Sequence, residues 1–401
     1  MDSQDLIRLE DIYGAHNYHP LDVVISKAQG IWMHDVEGRK YLDFLSAYSA
    51  VNQGHRHPRI VRALVDQARK LTLTSRAFRN DQWPLLAKEV CDMTGYTMVL
   101  PMNSGAEAVE TAVKTARKWA YQKKGVPQDK AEIIACANNF HGRTVTAISF
   151  STEPLYRQDF GPFTPGFTIV PFGDAEALEK AITPNTAAFL VEPIQAEAGI
   201  LIPPEGFLRR AAEICKANNV LFIADEIQTG LGRTGRLFAC EAEGIRPDMV
   251  VIGKSLGGGC YPVSAVLADR ELLGVFKPGE HGSTFGGNPL ACAVARESLK
   301  VIREDKLVEN AAERGAYFMD KLRRVRSRFI KEVRGRGLLI GVELHPEAGG
   351  ARRFCEELMK EGLLCKETHD NVIRFAPPLT IRDKDLNWAL KRIKSVFRRL
   401  A

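Results

Sequence analysis

The segments VLFIAD, residues 220–225, and MVVIGK, residues 249–254, decide the fold of this chain. Each segment is a short apolar run that does not alternate with polar residues, which is typical of a parallel strand covered on both faces. Each run ends in one charged residue, Asp225 in the first and Lys254 in the second. Open parallel sheets bind ligands at the carboxyl ends of their strands, so both side chains are predicted to face one crevice.

A lysine and a carboxylate at the ends of two such strands fit the chemistry of pyridoxal phosphate. This cofactor bonds covalently to a lysine amino group, and an acidic side chain keeps its ring nitrogen protonated, which lets the ring accept electrons. We therefore predict a pyridoxal-phosphate site in which Lys254 holds the cofactor and Asp225 pairs with the ring nitrogen. Either residue alone could be structural.

Similar apolar runs alternate with amphipathic helical patterns through the middle of the chain. They lie at residues 132–136, 167–170 and 187–191. They predict an α/β domain with a mainly parallel sheet over residues 56–290. From residue 291, long charged helical patterns surround a few strand patterns, so residues 291–401 are predicted to form a smaller α/β domain. Residues 1–55 are too few for a core of their own, and we expect them to pack on the small domain.

Composition fits a globular enzyme and argues against several other classes. The chain has 401 residues, is 45% hydrophobic and carries a formal net charge of +6. Its 8 cysteines show no C-x-x-C spacing, which favours a reducing compartment. There is no signal-peptide pattern and no bilayer-spanning apolar stretch, so we expect a cytoplasmic protein without membrane contact. The basic run at residues 321–328 lacks interleaved aromatic residues, which favours a solvated helix face over nucleic-acid binding.

Two further motifs supply candidate ligands for the cofactor and the substrate. Asn103-Ser104-Gly105 precedes a helical pattern whose first amide groups would suit a phosphate, although an ordinary N-cap has the same sequence. Phe140 and Arg143 follow a predicted strand. The aromatic ring could stack on a planar cofactor, and the guanidinium could bind a substrate carboxylate. Taken alone, core packing explains Phe140 better, and a surface ion pair explains Arg143 better.

Other motifs suggest nucleotide or metal binding, and their context disfavours both. Residues 230–235 match G-x-G-x-x-G but do not join a strand directly to a helix. Gly253-Lys254-Ser255 resembles the end of a P-loop, yet Asp248 stands where the first glycine belongs. The residues His55 and His57 lack further ligands at metal spacing, so no metal site is predicted. A nucleotide-binding protein and a catalytically silent scaffold are the alternatives from other classes.

The chain resembles the class III pyridoxal-phosphate aminotransferases over almost its whole length. The motifs that carry the resemblance occur in the order expected of that family: Asn103-Ser104-Gly105, residues 140–143, residues 225–230, Lys254 and residues 282–289. The resemblance implies a fold-type I transferase, an obligate homodimer and the cofactor pyridoxal 5'-phosphate. Within the family, the chain is more similar to members that use ornithine than to those that use acetylornithine. That similarity rests on residues 13–21, 46–55, 191–199 and 373–378.

The cofactor contacts of the family map onto this chain residue by residue. The residues implied are Lys254, Asp225, Phe140, Gln228, Gly105 and Ala106, with Ser283 and Thr284 supplied by the facing subunit. By this resemblance Lys254 would also carry the proton between the two carbons that exchange it. Phe140 would stack on the ring, and Gln228 would hydrogen-bond its phenolic oxygen. Gly105 and Ala106 would offer backbone N–H groups to the phosphate.

The resemblance also implies a set of substrate contacts. These are Tyr18, Tyr48, Arg143, Glu192, Glu197 and Arg374. Tyr18 and Arg143 would hold the α-amino and α-carboxylate groups of ornithine, while Tyr48 and Glu192 would line the pocket. Arg374 would bind 2-oxoglutarate and would pair with Glu197 while ornithine is bound. The implied reaction moves the δ-amino group of L-ornithine to 2-oxoglutarate, giving glutamate 5-semialdehyde and glutamate. An acetylornithine or other ω-amino-acid aminotransferase is the alternative.

Overall fold

The computed structural model describes residues 1–400 and is built around one large central sheet. The N-terminal part contains α1 (Ser3–Tyr13), β1 (Ile25–Gln29), β2 (Trp32–Asp35), β3 (Lys40–Asp43), α2 (Ser46–Ser49) and α3 (Pro58–Ala68). The middle of the chain contains α4 (Trp83–Thr94), β4 (Met98–Met102), α5 (Gly105–Trp119), β5 (Glu132–Cys136), α6 (Val145–Ser149), α7 (Pro154–Arg157), β6 (Phe167–Val170), α8 (Ala175–Ala181), β7 (Thr186–Val191), α9 (Phe207–Ala217), β8 (Leu221–Asp225), β9 (Met249–Ile252), β10 (Ser264–Ala268) and α10 (Arg270–Leu273).

The C-terminal part is richer in long helices. It contains α11 (Pro289–Glu304), α12 (Leu307–Arg323), β11 (Ile330–Arg336), β12 (Leu339–Leu344), α13 (Arg352–Lys360), β13 (Leu363–Leu364), β14 (Lys366–Thr368), β15 (Val372–Phe375) and α14 (Asp383–Leu400). A π-helical turn at Ala120–Lys124 extends α5, and short 3-10 turns occupy Ala239–Glu243, Lys254–Gly257 and Pro346–Ala348. Within residues 1–400, every helix is too short or too polar to span a bilayer.

The central sheet has seven strands in the order β4-β10-β9-β8-β7-β5-β6. Strands β5 to β9 pair in parallel, and only β10 runs against its neighbours. Along β8, Leu221 and Ile223 pack into the apolar core beside α5, whereas Phe222 and Ala224 pack into a second core beside α9. Successive side chains of a strand point to opposite faces, so a strand buried on both faces must be apolar throughout. The expectation of a mainly parallel α/β sheet is confirmed.

The other strands form two smaller sheets, and one of them joins the two ends of the chain. One is the antiparallel sheet β11-β12-β15-β14, and the other has the order β1-β2-β3-β13. The pairing of β13 with β3 is parallel, with Leu363 opposite Leu42. One apolar core contains residues from every part of the chain, including Leu42, Val250 and Phe354. The division into residues 1–55, 56–290 and 291–401 stays a prediction, because the three parts share this core.

Arg233 is a buried cross-link between these parts. Its guanidinium donates to the carbonyl oxygens of Leu338 at 2.9 Å and Pro377 at 2.6 Å, and to the side-chain oxygen of Asn52. The side chain is fully buried, and this burial lowers the pKa of Arg233 to about 9. The loop after β8 is thereby held against the residues that follow β15. Since β8 and β15 carry Asp225 and Arg374, this cross-link fixes the distance between two predicted site residues.

Candidate active site

Lys254 and Asp225 lie at the carboxyl ends of adjacent parallel strands, as their positions in the sequence predict. Strand β8 ends at Asp225, and Asp225 is opposite Val251 of β9 in the pairing register. Lys254 follows β9 after Gly253 and adopts a left-handed φ of 44°. A non-glycine residue in this region is strained, and such strain persists only where the surroundings enforce it. The backbone therefore holds the lysine in one direction, towards the crevice above the sheet.

A cavity of about 200 Å³ lies above these strand ends. Its lining includes most of the predicted cofactor residues, namely Lys254, Asp225, Gly105, Ala106, Phe140 and Gln228, together with Glu192. Elements from distant parts of the chain contribute to it: α5 supplies the glycine and alanine, and residues at or just after the ends of β5, β7, β8 and β9 supply the rest. The structure thus brings together residues that the sequence separates widely.

The start of α5 forms one end of the cavity. A capping box closes this helix, because Glu107 accepts from the backbone N–H of Ser104 at 2.7 Å while the Ser104 hydroxyl accepts from the Glu107 N–H at 3.2 Å. Within residues 1–400, the N–H groups of Gly105 and Ala106 have no acceptor. A Cβ on Gly105 would lie 2.9 Å from Ile227, so only glycine fits there without displacing that side chain. Free N–H groups at a helix start are a common site for a phosphate group.

His141 is a site residue that sequence reasoning missed. Its Nδ1 lies 2.7 Å from Asp225, and both side chains are buried. Its Nε2 is also buried and has no partner within residues 1–400. The histidine lies between Phe140 and Gly142, two residues of the motif that the sequence had already singled out, and this position was the available signal. A ring N–H donated to Asp225 fixes the orientation of its carboxylate.

Burial and electrostatic interactions in the cavity shift the pKa values of the side chains that line it. Burial, with Asp225 nearby, raises the pKa of Glu192 well above its ordinary value, although its carboxylate accepts the Phe140 N–H at 2.9 Å. Desolvation lowers the pKa of Lys254 to about 8, and the Arg374 cation adds to that effect. Glu197 and Asp225 act in the opposite direction on Lys254. The lysine is therefore able to gain or lose a proton close to neutral pH.

Arg374 and Glu197 form an ion pair beside the cavity. Arg374 is buried at 1% exposure and donates to the Glu197 carboxylate at 3.0 Å. It also donates to the carbonyl oxygen of Ala196 at 2.7 Å. Burial raises the pKa of Glu197, but Arg374 and Lys254 outweigh this effect and leave it below its ordinary value. The amide of Gln228 donates to the same carboxylate at 3.0 Å, so its side chain is already engaged in this network.

Tyr48 is presented to this network by an unusual turn. The residues of α2 all have left-handed φ values between 45° and 75°, and α2 comprises Ser46–Ser49. Left-handed residues of this kind each cost about 1–2 kcal/mol. Asp43 offsets part of that cost, because its carboxylate accepts the Leu45 and Ser46 N–H groups, both at 2.8 Å. The Tyr48 ring centre lies 5.1 Å from the Arg374 guanidinium carbon and 6.0 Å from the Lys254 nitrogen.

The remaining predicted residues lie outside the cavity. Tyr18 is 74% exposed. Arg143 is also exposed, and its guanidinium carbon lies 5.8 Å from the centre of the Tyr18 ring. Arg143 also lies over the Tyr156 ring at 4.6 Å and forms no ion pair within residues 1–400. Ser283 accepts from the side-chain amide of Asn103 at 3.1 Å, and Thr284 is exposed. The structure therefore leaves Tyr18 and Arg143 accessible at the rim, and Ser283 and Thr284 on a surface loop.

The residues present fit pyridoxal phosphate. A phosphate would meet the free N–H groups of Gly105 and Ala106, a protonated ring nitrogen would meet the anionic Asp225, and Lys254 offers an amine with a low pKa. Glycine at position 142 allows the backbone to pass close to Ala106, because a Cβ there would lie 3.0 Å from the Ala106 side chain. The donor set and the cavity therefore match the phosphate, ring and aldehyde of this cofactor.

Comparisons with known proteins agree with this chemistry. The family model described as Aminotransferase class-III matches residues 13–397. An ornithine aminotransferase from Geobacillus sp. (strain WCH70) is 63% identical over 393 residues, covering 98% of each chain. The structure of the ornithine aminotransferase from Toxoplasma gondii, reported with partial occupancy of PLP at its active site, is 48% identical with a TM-score of 0.98, covering 99% of this chain and 94% of that chain. An acetylornithine aminotransferase structure from Elizabethkingia anophelis is 49% identical with a TM-score of 0.91, covering 100% of both chains.

The lowered pKa of Lys254 is testable by competitive acetylation of the cofactor-free protein across a pH series. Because only the neutral amine reacts, Lys254 should be half-labelled near pH 8, the value to which desolvation lowers its pKa. The pKa of an unperturbed lysine is about 10.4. Glu197→Gln should move the midpoint lower still, because Glu197 raises the lysine pKa. Mass spectrometry of the digest gives both values, with surface lysines as the internal reference. A Lys254 midpoint at or above that of the surface lysines would contradict the electrostatic account.

Proposed function

We propose that this chain, which belongs to the class-III aminotransferase family, transfers the δ-amino group of L-ornithine to 2-oxoglutarate. The observation that carries the proposal is the Arg374–Glu197 ion pair beside Lys254, because one pocket must accept both a monocarboxylate and a dicarboxylate. The products are glutamate 5-semialdehyde and glutamate. Relatives about as similar as the Geobacillus protein are also named ornithine aminotransferase, including the Bacillus subtilis one at 63% identity.

The second candidate is acetylornithine as the amino donor, which the similarity to the Elizabethkingia structure supports. The two donors differ at the α-amino group, which is free in ornithine and acylated in acetylornithine. Tyr18 and Arg143 lie next to each other at the rim and could bind a free α-amino group and an α-carboxylate respectively. A hydroxyl positioned for a free ammonium group gains nothing from an amide. This difference favours ornithine.

Pyridoxal phosphate, when bound, supplies an electron sink that stabilises the negative charge left when a C–H proton is removed. The side chains of this protein do the rest. Lys254, with its pKa near 8, would accept and return that proton at neutral pH. The Asp225 carboxylate is held in position to bind a cation, because His141 donates to one of its oxygens and the Ile227 N–H donates to the other at 3.1 Å. Burial raises the pKa of Glu192, which disfavours a second negative charge beside Asp225.

The ion pair would act as a gate between the two substrates. An unpaired Arg374 would attract the α-carboxylate of ornithine and bring the wrong amino group to the cofactor. Glu197 neutralises that attraction while ornithine is bound. A dicarboxylate would compete for the guanidinium, which binds carboxylates through two parallel hydrogen bonds. Glu197 is partly exposed, so it is able to move aside when a competing carboxylate arrives.

We also propose a homodimer in which Ser283 and Thr284 reach the phosphate site of the facing subunit. Within one chain, these residues lie on a loop in which Ser283 accepts a hydrogen bond from the side chain of Asn103. Thr284 and Phe285 are exposed on the same loop. An exposed aromatic side chain beside a polar pair is a common feature of an interface. The cytoplasmic location expected from the sequence also remains a prediction.

Donor preference tests the proposed function directly. The cofactor-loaded protein should use ornithine with a kcat/KM about 100-fold above that for acetylornithine or 4-aminobutyrate, each with saturating 2-oxoglutarate. Detection of glutamate 5-semialdehyde as the product identifies transfer from the δ-position. Lys254→Ala, which lacks the covalent anchor, is the inactive control. A higher kcat/KM for acetylornithine would reassign the donor.

The gate predicts opposite effects for the two halves of the ion pair. Arg374→Ala should lower kcat/KM for 2-oxoglutarate by roughly 100-fold, the value of a charged hydrogen bond, while largely sparing the ornithine half-reaction. Glu197→Ala should raise α-amino transfer relative to δ-amino transfer. Glu197→Gln is the matched variant, because it keeps the side-chain size of Glu197 and so separates the loss of charge from the loss of volume. Single-turnover spectra of each half-reaction measure these effects. If the Glu197 and Arg374 variants slow both half-reactions equally, Glu197 is only a structural partner.

Mixed dimers test the contribution of the facing subunit. One chain carries Lys254→Ala, and the other carries Ser283→Ala with Thr284→Ala. If the loop serves the facing site, one of the two sites in the mixed dimer is complete, and about half of the wild-type activity and one tight cofactor site should be measured. If the loop serves its own site, neither site is complete. Absence of that tight cofactor site would therefore refute the shared arrangement.

A further inference from the structure

A second cavity, separate from the active site, opens between the N-terminal part of the chain and α14. Its volume is about 350 Å³, and its lining includes Arg56, His57, Arg382 and Lys384. Arg56, Arg382 and Lys384 are exposed and form no ion pair within residues 1–400. Three carboxylates lie close by: Asp385 lines the cavity, Asp43 lies 2.7 Å from His55, and Asp305 lies 3.3 Å from His57. Unpaired cations outnumber free carboxylates around the opening, so the cavity attracts anions.

The starts of two long helices meet at this cavity. Helix α3 begins at Pro58 and has no side chain capping its first turn. Helix α14 begins at Asp383, and within residues 1–400 the N–H groups of Asp383 and Lys384 have no acceptor. Free N–H groups and the positive end of the helix dipole favour an anion at such a position. Two converging helix starts therefore add to the attraction of the basic side chains.

A buried side chain points to the chemistry of the ligand. Gln53 is 1% exposed and lines the cavity. Its amide nitrogen donates to the Ser255 carbonyl at 2.9 Å and to the Ser298 hydroxyl at 2.5 Å, which fixes the orientation of the amide group. Its Oε1 is consequently an acceptor without a donor within residues 1–400. A buried unsatisfied acceptor costs about 1–3 kcal/mol, so a ligand that donates a hydrogen bond to it would be stabilised.

These features select among anions. Inorganic phosphate carries negative charge and still keeps an O–H donor at neutral pH, so it suits a site that has both cations and acceptors. The acceptors here are Gln53 and Asp385, and the Thr380 hydroxyl, buried and without a partner, is an additional donor. Sulfate has no O–H at neutral pH. A phosphate monoester has largely lost its O–H, since its second pKa is about 6. We propose that this cavity is a binding site for inorganic phosphate.

Calorimetric titration of the cofactor-loaded protein near neutral pH tests the proposal, because the bound cofactor already fills the phosphate position at α5. Inorganic phosphate should bind once per chain and at least about tenfold more tightly than sulfate or methyl phosphate at equal ionic strength. Equal affinity for phosphate and methyl phosphate would assign the site to phosphate esters and overturn the proposal. Equal affinity for all three anions would show a general basic surface and overturn it as well.

Variants locate the site. Arg382→Gln combined with Lys384→Gln should lower phosphate affinity at least about tenfold, because two of the cations are lost. Asp385→Asn, nearly identical in shape, should lower the preference for phosphate over sulfate, because it replaces one acceptor oxygen by a donor NH2 group and leaves the cations. Arg326→Gln, at an exposed arginine outside the cavity, is the matched control and should bind phosphate as the wild type does. Thermal unfolding curves establish that each variant is folded. Phosphate binding unchanged in the folded double variant would place the anion elsewhere and refute the assignment.

Discussion

Withdrawal of several charged groups from bulk water around one cavity is the constraint on which the rest of the structure depends. Asp225 and Arg374 are each at most 5% exposed, and Lys254 and Glu197 face the same space. Charges in such a place are tolerated only when partners and hydrogen bonds compensate them. The parallel sheet places Asp225 and Lys254 side by side, and the C-terminal sheet brings Arg374 to Glu197. The architecture is therefore the means by which opposite charges meet in a largely buried place.

Rigidity follows from the same requirement. A charge that moved by an ångström would lose its partner, and local backbone strain at this site is held by interactions elsewhere. Asp43 anchors the left-handed turn that presents Tyr48, and the Arg233 cross-link fixes the segment after β15. Both anchors lie away from the cavity itself. The precise geometry of the site is thus maintained by polar contacts between parts of the chain that are far apart in sequence.

Patterns within a single segment were predictable from the sequence, whereas contacts between segments were not. The predicted runs at residues 132–136 and 167–170 coincide with β5 and β6, because an uninterrupted apolar run has few alternatives to a buried strand. The strand β10 and its reversed direction were not foreseen, since direction depends on the connecting loop. Asp225 was found from its position at a strand end, but its partner His141 was not, because 84 residues separate them. The pairing of Arg374 with Glu197 came from family resemblance alone, and no periodicity links residues 177 positions apart.

The parallel pairing of Leu42 with Leu363 has a consequence for synthesis of the chain. The strand β3 leaves the ribosome early, but the strand that completes its sheet emerges only after nine-tenths of the chain has been translated. Until then β3 exposes an unpaired edge, which is a template for association with other chains. Pairing between such distant segments also closes a long loop and is slow. The central sheet, whose strands are contiguous in sequence, has the opportunity to form first and to serve as the surface on which the two ends of the chain assemble.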